Sequence, residues 1–133
     1  MWKMSNKYLL DASAILALLQ KEQGSEMVTQ CIPFSAIFSV NLAEVASVLN
    51  KLGMPESEIH ELFNAMDIEV LAFEEITAIA TGGMRSITQK KGLSLGDRAC
   101  LATAKQHKRI VLTADKVWQE FQQGIGVEIN FIR

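Results

Sequence analysis

The chain has 133 residues, a length typical of one domain, and its 49% apolar and 21% charged residues indicate a globular protein rather than a disordered one. Its longest apolar run, residues 14–19, is too short to cross a bilayer, and no apolar segment with a cleavage site follows the N-terminus. The net charge of −2 gives no general sign of nucleic-acid binding, and Cys31 and Cys100 are spaced for neither a zinc site nor a disulfide framework. We therefore expect a single cytoplasmic domain over residues 1–133 with reduced core thiols and no membrane partner.

Apolar patterning predicts short strands that alternate with helices along the whole chain. The predicted strands cover residues 8–10, 34–38, 68–71, 109–112 and 127–132. The predicted helical stretches cover residues 13–21, 25–31, 39–52, 55–66, 74–89, 94–107 and 115–121. Gly82 and Gly83 predict a kink or break inside the fifth of these stretches. This alternation favours an α/β fold, a three-layer α/β/α sandwich with a mostly parallel sheet.

Two aspartates follow predicted strands closely. Asp11 comes directly after strand 8–10, and Asp115 comes shortly after strand 109–112. Because parallel sheets bind ligands at the carboxyl ends of their strands, we expect both carboxylates at one edge of the sheet. Each could instead be an ordinary N-cap of the helix that follows it.

Two further acids lie near predicted helix starts, where Asn41-x-x-Glu44 and Ser94-x-x-Asp97 both match a capping box. Asp97 shares a helical face with Cys100 and other apolar residues, and Glu44 lies at the edge of an apolar stripe. We therefore expect both carboxylates to point toward the core, which costs free energy unless something pairs with them. No Lys or Arg is placed to pair with all the acids.

A divalent cation would resolve this arrangement. Carboxylates that converge on one crevice repel each other and resist full ionisation. Mg²⁺ or Mn²⁺ prefers oxygen ligands, would neutralise the charge, and can polarise a phosphoryl oxygen and activate a bound water. The candidate site residues are Asp11, Glu44, Asp97 and Asp115.

Charge is unevenly distributed along the chain. Residues 85–116 hold eight basic residues and two acids, whereas residues 56–75 hold seven acids and no Lys or Arg. The basic stretch could track a phosphate backbone, with Lys90 and Lys91 contributing and Lys21 and Lys51 contributing little. Alternatively, both runs are solvated helix faces.

Four segments carry a family resemblance. They read LLDASA at residues 9–14, SVNLAEV at 39–45, LSLGDRACLA at 93–102 and LTADKVW at 112–118. In order and in strand–helix context they resemble the acidic segments of the PIN-domain family, and specifically the VapC-type toxin ribonucleases. The resemblance is colinear over about residues 7–132. The departure from the family pattern is the pair Gly82 and Gly83, which interrupts a helix that is usually continuous.

The resemblance implies roles for the acids. Asp11 and Asp97 would be the core metal ligands, and Asp115 would complete the shell, either directly or through water. Glu44 would orient or deprotonate the attacking water, or hold a second ion. Ser13 and Thr113 would hydrogen-bond the carboxylates or a substrate phosphate, unless they are ordinary caps.

The resemblance also implies a function, namely an Mg²⁺- or Mn²⁺-dependent endoribonuclease that is the toxin of a type II toxin–antitoxin pair. The expected partners are RNA, an antitoxin protein encoded nearby and a second copy of the chain. Two alternatives stay open: a PIN-like RNA-processing nuclease without a toxin role, and a non-catalytic module that senses metal or phosphate. A receiver domain fits poorly, because Asp11 is followed by Ala12 rather than by a second acid.

Overall fold

The computed structural model describes residues 7–88 and 92–133, in which five short strands alternate with helices. The strands are β1 (Tyr8–Leu10), β2 (Ser35–Phe38), β3 (Glu69–Leu71), β4 (Ile110–Thr113) and β5 (Ile129–Phe131). The α-helices are α1 (Ala12–Leu19), α2 (Ser25–Cys31), α3 (Ser39–Lys51), α4 (Glu56–Met66), α5 (Glu75–Gly83), α6 (Arg85–Thr88), α7 (Leu95–His107) and α8 (Gln122–Ile125). Two short 3₁₀ helices, Ile32–Phe34 and Lys116–Glu120, lie before β2 and after β4.

All five strands are parallel and form one sheet in the order β3-β2-β1-β4-β5. The chain runs outward from β1 through β2 to β3, then returns to the other side of β1 for β4 and β5. The direction of winding therefore changes beside β1, and the carboxyl ends of β1 and β4 flank the position where such sheets bind ligands. The predicted parallel sheet is confirmed.

Alternate residues of the strands point to opposite faces of the sheet, and each face is covered by helices. Leu9 packs in the core beside α5, α6, α7 and α8, whereas Leu10 packs in the core beside α1, α2, α3 and α4. Each fully buried Leu, Ile or Phe side chain contributes about 1.5–3 kcal/mol. Two apolar cores on opposite faces explain why the central strands read as continuous apolar runs, and they confirm the three-layer sandwich.

Several helix ends differ in detail from their predicted bounds. Helix α3 begins at Ser39 with Phe38 as its N-cap, so neither Ser39 nor Asn41 caps it. The capping box predicted from Asn41-x-x-Glu44 is therefore wrong. The predicted break near the glycine pair is confirmed, because α5 ends at Gly83 and α6 begins at Arg85.

Gly24 caps the start of α2. Helix α1 ends at Leu19, and Gly24 adopts a positive φ of 95° as the N-cap of α2. A Cβ atom there would lie 2.5 Å from the carbonyl oxygen of Ile132. The close approach of the chain after β5 therefore requires glycine at this position.

The amino ends of the strands are tied together by a buried arginine. Arg109, which directly precedes β4, is 6% exposed. Its Nη2 donates to Glu69 Oε1 at 2.9 Å, and its Nη1 donates to the Tyr8 carbonyl oxygen at 3.4 Å. Glu69 begins β3 and Tyr8 begins β1, so one guanidinium links three strands at the edge opposite to the carboxyl ends.

Cys31 and Cys100 are both free thiols, as expected, although only Cys100 is buried. Within residues 7–88 and 92–133, no helix is both long and apolar enough to span a membrane.

Candidate active site

Asp11 is the buried centre of the carboxyl edge of the sheet. It directly follows β1, is 5% exposed, and its backbone N–H donates to the Leu112 carbonyl oxygen on β4 at 3.2 Å. Its Oδ1 accepts from Ser13 Oγ at 2.7 Å and from the Ala14 N–H at 3.0 Å. Its Oδ2 accepts from Thr113 Oγ1 at 2.8 Å. The carboxylate is therefore held in a fixed orientation by donors from α1 and from β4.

Burial raises the pKa of Asp11 to about 6, from an ordinary value of 3.8. The hydrogen bonds from Ser13, Thr113 and Ala14 lower this pKa, and the negative charge of Asp97 raises it further. No Lys or Arg of the described ranges forms an ion pair with Asp11. At neutral pH the folded chain thus carries a buried negative charge that no Lys or Arg of residues 7–88 and 92–133 neutralises.

Hydroxyl groups connect Asp11 to Asp115. Thr113 Oγ1, which donates to Asp11, accepts from the Asp115 N–H at 3.0 Å, and Ser13 Oγ accepts from the Ala114 N–H at 2.9 Å. Asp115 is exposed, and its Oδ1 caps the following 3₁₀ helix by accepting from the Val117 N–H at 3.1 Å. Asp115 therefore lies at the rim of the same edge and is linked to Asp11 through one hydroxyl.

Glu44 reaches the start of α7 because residue 96 is glycine. A Cβ on Gly96 would lie 3.0 Å from Glu44 Oε1, so the carboxylate lies against this backbone. Gly96 precedes Asp97, which forms the expected capping box with Ser94: each backbone N–H donates to the other side chain at 3.1 Å. Contact between the second turn of α3 and the first turn of α7 thus brings Glu44 against Gly96, the residue before Asp97.

The buried thiol of Cys100 lies within range of the charges of three of the acids. Burial and the negative charges of Asp11, Asp97 and Glu44 raise the pKa of this thiol well above its usual range. Among the described residues, no three His, Cys, Asp or Glu side chains are grouped closely enough to hold a metal ion by themselves. The donor chemistry nevertheless suits Mg²⁺ or Mn²⁺, because such ions bind few carboxylates and keep several waters.

Free carboxylate oxygens remain at this edge despite the caps. Asp97 Oδ1, Asp115 Oδ2 and Glu44 Oε2 accept no hydrogen bond from any residue in the two described ranges. Capping therefore does not exclude ligand binding, since each of these side chains uses one oxygen for the backbone or a neighbour and leaves the other available.

We expected the carboxylates of Glu44 and Asp97 to point toward the core. This prediction is wrong for Glu44, which is exposed, and only partly correct for Asp97, which is half-buried. Both residues lie in the first two turns of helices that begin at the edge of the sheet. The fully buried face of α7 begins two residues later, at Ala99. Of the four acids, only Asp11 is buried.

The basic stretch 85–116 does not form one surface beside these acids. Arg109 is buried against Glu69 and is not available to RNA. Lys105 lies eight residues beyond Asp97, or about 12 Å along α7. Lys116 directly follows Asp115 and is exposed at the acidic edge. Lys90 and Lys91 lie outside the described residues.

Two residues that the sequence did not single out shape the site. Gly96 provides the space that the Glu44 carboxylate occupies, and Asn41 donates to Glu44 Oε1 from Nδ2 at 2.7 Å. Gly96 appeared only inside a resembling segment, and Asn41 was interpreted only as a cap. A buried polar residue in the first turn of α3 is the signal that could have indicated Asn41.

Known structures share this fold. Similar solved structures include DNA-bound VapBC from Salmonella typhimurium, a toxin–antitoxin complex from Klebsiella pneumoniae, and VapBC2 from Rickettsia felis bound to a promoter DNA fragment. In that order, their matched chains are 23%, 19% and 17% identical to this chain, with TM-scores of 0.74, 0.73 and 0.72. The alignments cover 96%, 96% and 93% of this chain and 98%, 98% and 97% of the others.

No curated protein sequence gives a significant match. The PIN domain family, in contrast, matches residues 8–123, which include all four acids. The expected family resemblance is confirmed, and the chain belongs to the PIN domain family.

Proposed function

We propose that this PIN-domain protein is a metal-dependent endoribonuclease and the toxin of a toxin–antitoxin pair. The observation that carries the proposal is the buried Asp11 carboxylate, which has no cationic partner in the described part of the chain and lies near Asp97 and Glu44. A buried charge without a partner costs several kcal/mol, so its retention at the switch point of the sheet is best explained by a cation that binds there.

The residues present fit Mg²⁺ or Mn²⁺. Asp11 and Asp97 would hold the ion, and Asp115 would contribute either directly or through water, since Mg²⁺ and Mn²⁺ prefer oxygen ligands. When bound, such an ion lowers the pKa of a water and stabilises negative charge on a phosphoryl group. The orphaned amide oxygen of Asn41, beside Glu44, is a further oxygen at this edge that has no donor among the described residues.

Side chains of this protein would orient the carboxylate of Asp11, accept a proton and bind the substrate. Ser13 and Thr113 fix both oxygens of Asp11, so the carboxylate keeps one orientation as substrate arrives. Glu44 is exposed, and its Oε2 is free to accept a proton from an attacking water. Lys116, exposed beside Asp115, would pair with a phosphate of the RNA.

The toxin assignment is supported by the Klebsiella pneumoniae neighbour, which is described as a toxin–antitoxin complex, and by an apolar groove beside α3, the helix that carries Glu44. An apolar groove of about 140 Å³ between α3 and α4 is lined by Leu42, Ile59 and Phe63, with Glu56 and His60. It would receive an amphipathic helix of an antitoxin, whose Arg or Lys could extend to the carboxylates and displace the metal.

We also propose a homodimer, which the family resemblance implies. Supporting this, α5 and α6 expose Ile76, Ile79 and Ile87, with exposures of 61%, 70% and 53%. An isologous contact would remove this apolar surface from water. Light scattering should give twice the monomer mass for the native chain and the monomer mass for Ile79→Glu. A native monomer would contradict this part of the proposal.

The nuclease proposal is tested with purified protein and a mixed RNA substrate. Cleavage should require Mg²⁺ or Mn²⁺, stop on addition of EDTA, and resume when the metal is restored in excess. Protein carrying Asp97→Asn, purified in parallel, controls for contaminating ribonucleases. Undiminished cleavage in EDTA would reject the metal mechanism.

The toxin role requires a separate test in cells. Induction of this chain alone should arrest growth, and co-expression of the adjacent open reading frame should restore growth. A chain that cleaves RNA in vitro but is harmless when induced alone would instead be an RNA-processing nuclease.

A further inference from the structure

Asn41 is a buried polar residue whose side chain is only half satisfied. It is 2% exposed and lies in the first turn of α3. Its Nδ2 donates to Glu44 Oε1 at 2.7 Å, while its Oδ1 is buried and accepts from no donor in residues 7–88 and 92–133. Buried amide oxygens almost always have a partner, so an orphaned one needs an explanation.

The orientation of this amide is fixed by its neighbour. Exchanging the nitrogen and oxygen of Asn41 would place an oxygen 2.7 Å from a carboxylate oxygen, and two acceptors repel each other. The observed orientation is therefore the one in which Asn41 donates a hydrogen bond to Glu44. In this orientation Asn41 Oδ1 lies next to the hydrogen bond that Nδ2 donates to Glu44.

A purely structural role does not account for asparagine here. Asn41 does not cap α3, because Phe38 is the N-cap, and asparagine is among the weaker helix formers. An apolar residue of similar size would fill the same buried space without an unsatisfied oxygen. What asparagine adds is a hydrogen-bond donor to Glu44 and an oxygen acceptor beside it.

The Glu44 carboxylate is constrained from two sides. Asn41 holds Oε1, and the absence of a side chain at Gly96 lets the same carboxylate lie against the start of α7, next to Asp97. Without the Asn41 donor, Glu44 would be an exposed side chain with several rotamers. Its distance from Asp97 would then no longer be defined.

We infer that Asn41 is a positioning residue that holds Glu44 for divalent-cation binding and whose Oδ1 accepts a hydrogen bond from a water at that site. The inference rests on the proposed metal-dependent function and adds the group that fixes Glu44. Partners that orient ligating carboxylates in this way change metal affinity about 10- to 100-fold.

The test measures Mn²⁺ affinity of the metal-free, full-length protein by calorimetric titration in the absence of RNA. Asn41→Leu, which keeps the buried volume, should weaken Mn²⁺ binding about 10- to 100-fold without lowering the melting temperature in EDTA. Asn50→Leu is the matched control, since Asn50 lies on the same helix and bonds only the Met54 carbonyl oxygen. It should leave Mn²⁺ affinity unchanged.

A double-mutant cycle separates positioning from general damage. If Asn41 acts through Glu44, Asn41→Leu should weaken Mn²⁺ binding by a smaller factor in a Glu44→Gln background than in the native chain. Equal weakening in both backgrounds would overturn the inference. Should leucine prevent folding, Asn41→Ala removes the same two groups and carries the same expectation.

The failure of this inference differs from the failure of the proposed function. Native protein that binds Mn²⁺, with Asn41→Leu binding it equally well, would overturn only the role of Asn41. Native protein that binds no Mn²⁺ would overturn both.

Discussion

The two ends of the sheet deal with buried charge in opposite ways. At the amino ends of the strands, the buried guanidinium of Arg109 pairs with Glu69 at 2.9 Å, a carboxylate of the same chain. At the carboxyl ends, the buried carboxylate of Asp11 receives three hydrogen bonds, yet no described Lys or Arg neutralises it. The first charge is neutralised within the fold, whereas the second has no cationic partner in the part of the chain that the structure describes.

This difference indicates which end is structural and which is functional. Removing one partner of a buried ion pair destabilises a protein, so the Arg109–Glu69 pair should be needed for stability. A buried carboxylate without a cation does the reverse, because its ionised form opposes folding until a ligand binds. Variants at the two ends should therefore have opposite effects on stability, and only those at the carboxyl end should alter chemistry.

The largest expected effect is on RNA cleavage by variants of the carboxyl end. Asp97→Asn or Asp11→Asn should reduce the rate about 1000-fold or more, because several kcal/mol of transition-state stabilisation would be lost with the metal ligand. Single-turnover cleavage assays with Mn²⁺ measure the rate, and far-ultraviolet circular dichroism checks the fold. Retained activity with a stability loss of about 0.5–2 kcal/mol would mean that these acids are only caps.

The next effect is a gain in stability. Burial raises the pKa of Asp11 to about 6, so the folded chain binds this proton more tightly than the unfolded chain does. The resulting stability is present below about pH 4 and is lost as pH rises through 6. In EDTA at pH 8, Asp11→Asn should unfold with a free energy about 3 kcal/mol higher than the native chain.

Denaturant unfolding at several pH values tests this difference. Because other groups titrate equally in both proteins, the difference between them isolates Asp11, and it should shrink toward zero at pH 4. A constant difference from pH 4 to pH 8 would show that Asp11 is not a buried charge without a partner.

A smaller effect of opposite sign is expected at the amino end. Glu69→Ala should lower the free energy of unfolding by about 1–3 kcal/mol, discounted because the Glu69 side chain is 48% exposed. The Mn²⁺ affinity should stay unchanged, since Glu69 lies at the edge opposite to Asp11. A loss of Mn²⁺ binding in this variant would contradict the separation of the two ends.

The smallest effect concerns substrate contact at the rim of the acidic edge. Lys116→Glu, in an Asp97→Asn background that cannot cleave, should weaken RNA binding and reduce the salt slope by about 0.7, the value for one phosphate contact on a single strand. Lys51→Glu is the control, because Lys51 is exposed at the far end of α3 from Glu44. Fluorescence anisotropy at several salt concentrations measures both slopes. Equal changes would mean that RNA does not approach past Lys116.

Regular patterning predicted the parts of the molecule that depend on local sequence. Alternation of strands and helices predicted the parallel sheet, and Asp11 and Asp115 were assigned to its carboxyl edge because each follows an apolar strand. The Ser94–Asp97 capping box was also predicted, since its signature lies within four residues. Such features need no knowledge of distant contacts.

Contacts between distant segments could not be predicted from the same patterns. Arg109 belongs to the basic stretch 85–116 and was expected to face solvent. It is instead buried at the amino ends of the strands, where it pairs with Glu69, forty positions away in the sequence. The exposure of Glu44 and its contact with Gly96 depend on how α3 and α7 meet. Asn41 was interpreted as a cap because sequence patterns define the ends of a helix only to within one or two residues. In the structure α3 begins at Ser39, so Asn41 lies inside the helix and its side chain bonds Glu44.

The central claim is that Asp11 carries a buried charge that a divalent cation satisfies. Melting temperatures of the native chain and of Asp11→Asn, measured at pH 8 in EDTA and in excess Mn²⁺, test it most directly. We predict that Asp11→Asn is the more stable protein in EDTA and the less stable one in Mn²⁺, because the ion stabilises only a chain that binds it. If Asp11→Asn is the more stable protein in both conditions, or in neither, the claim is wrong.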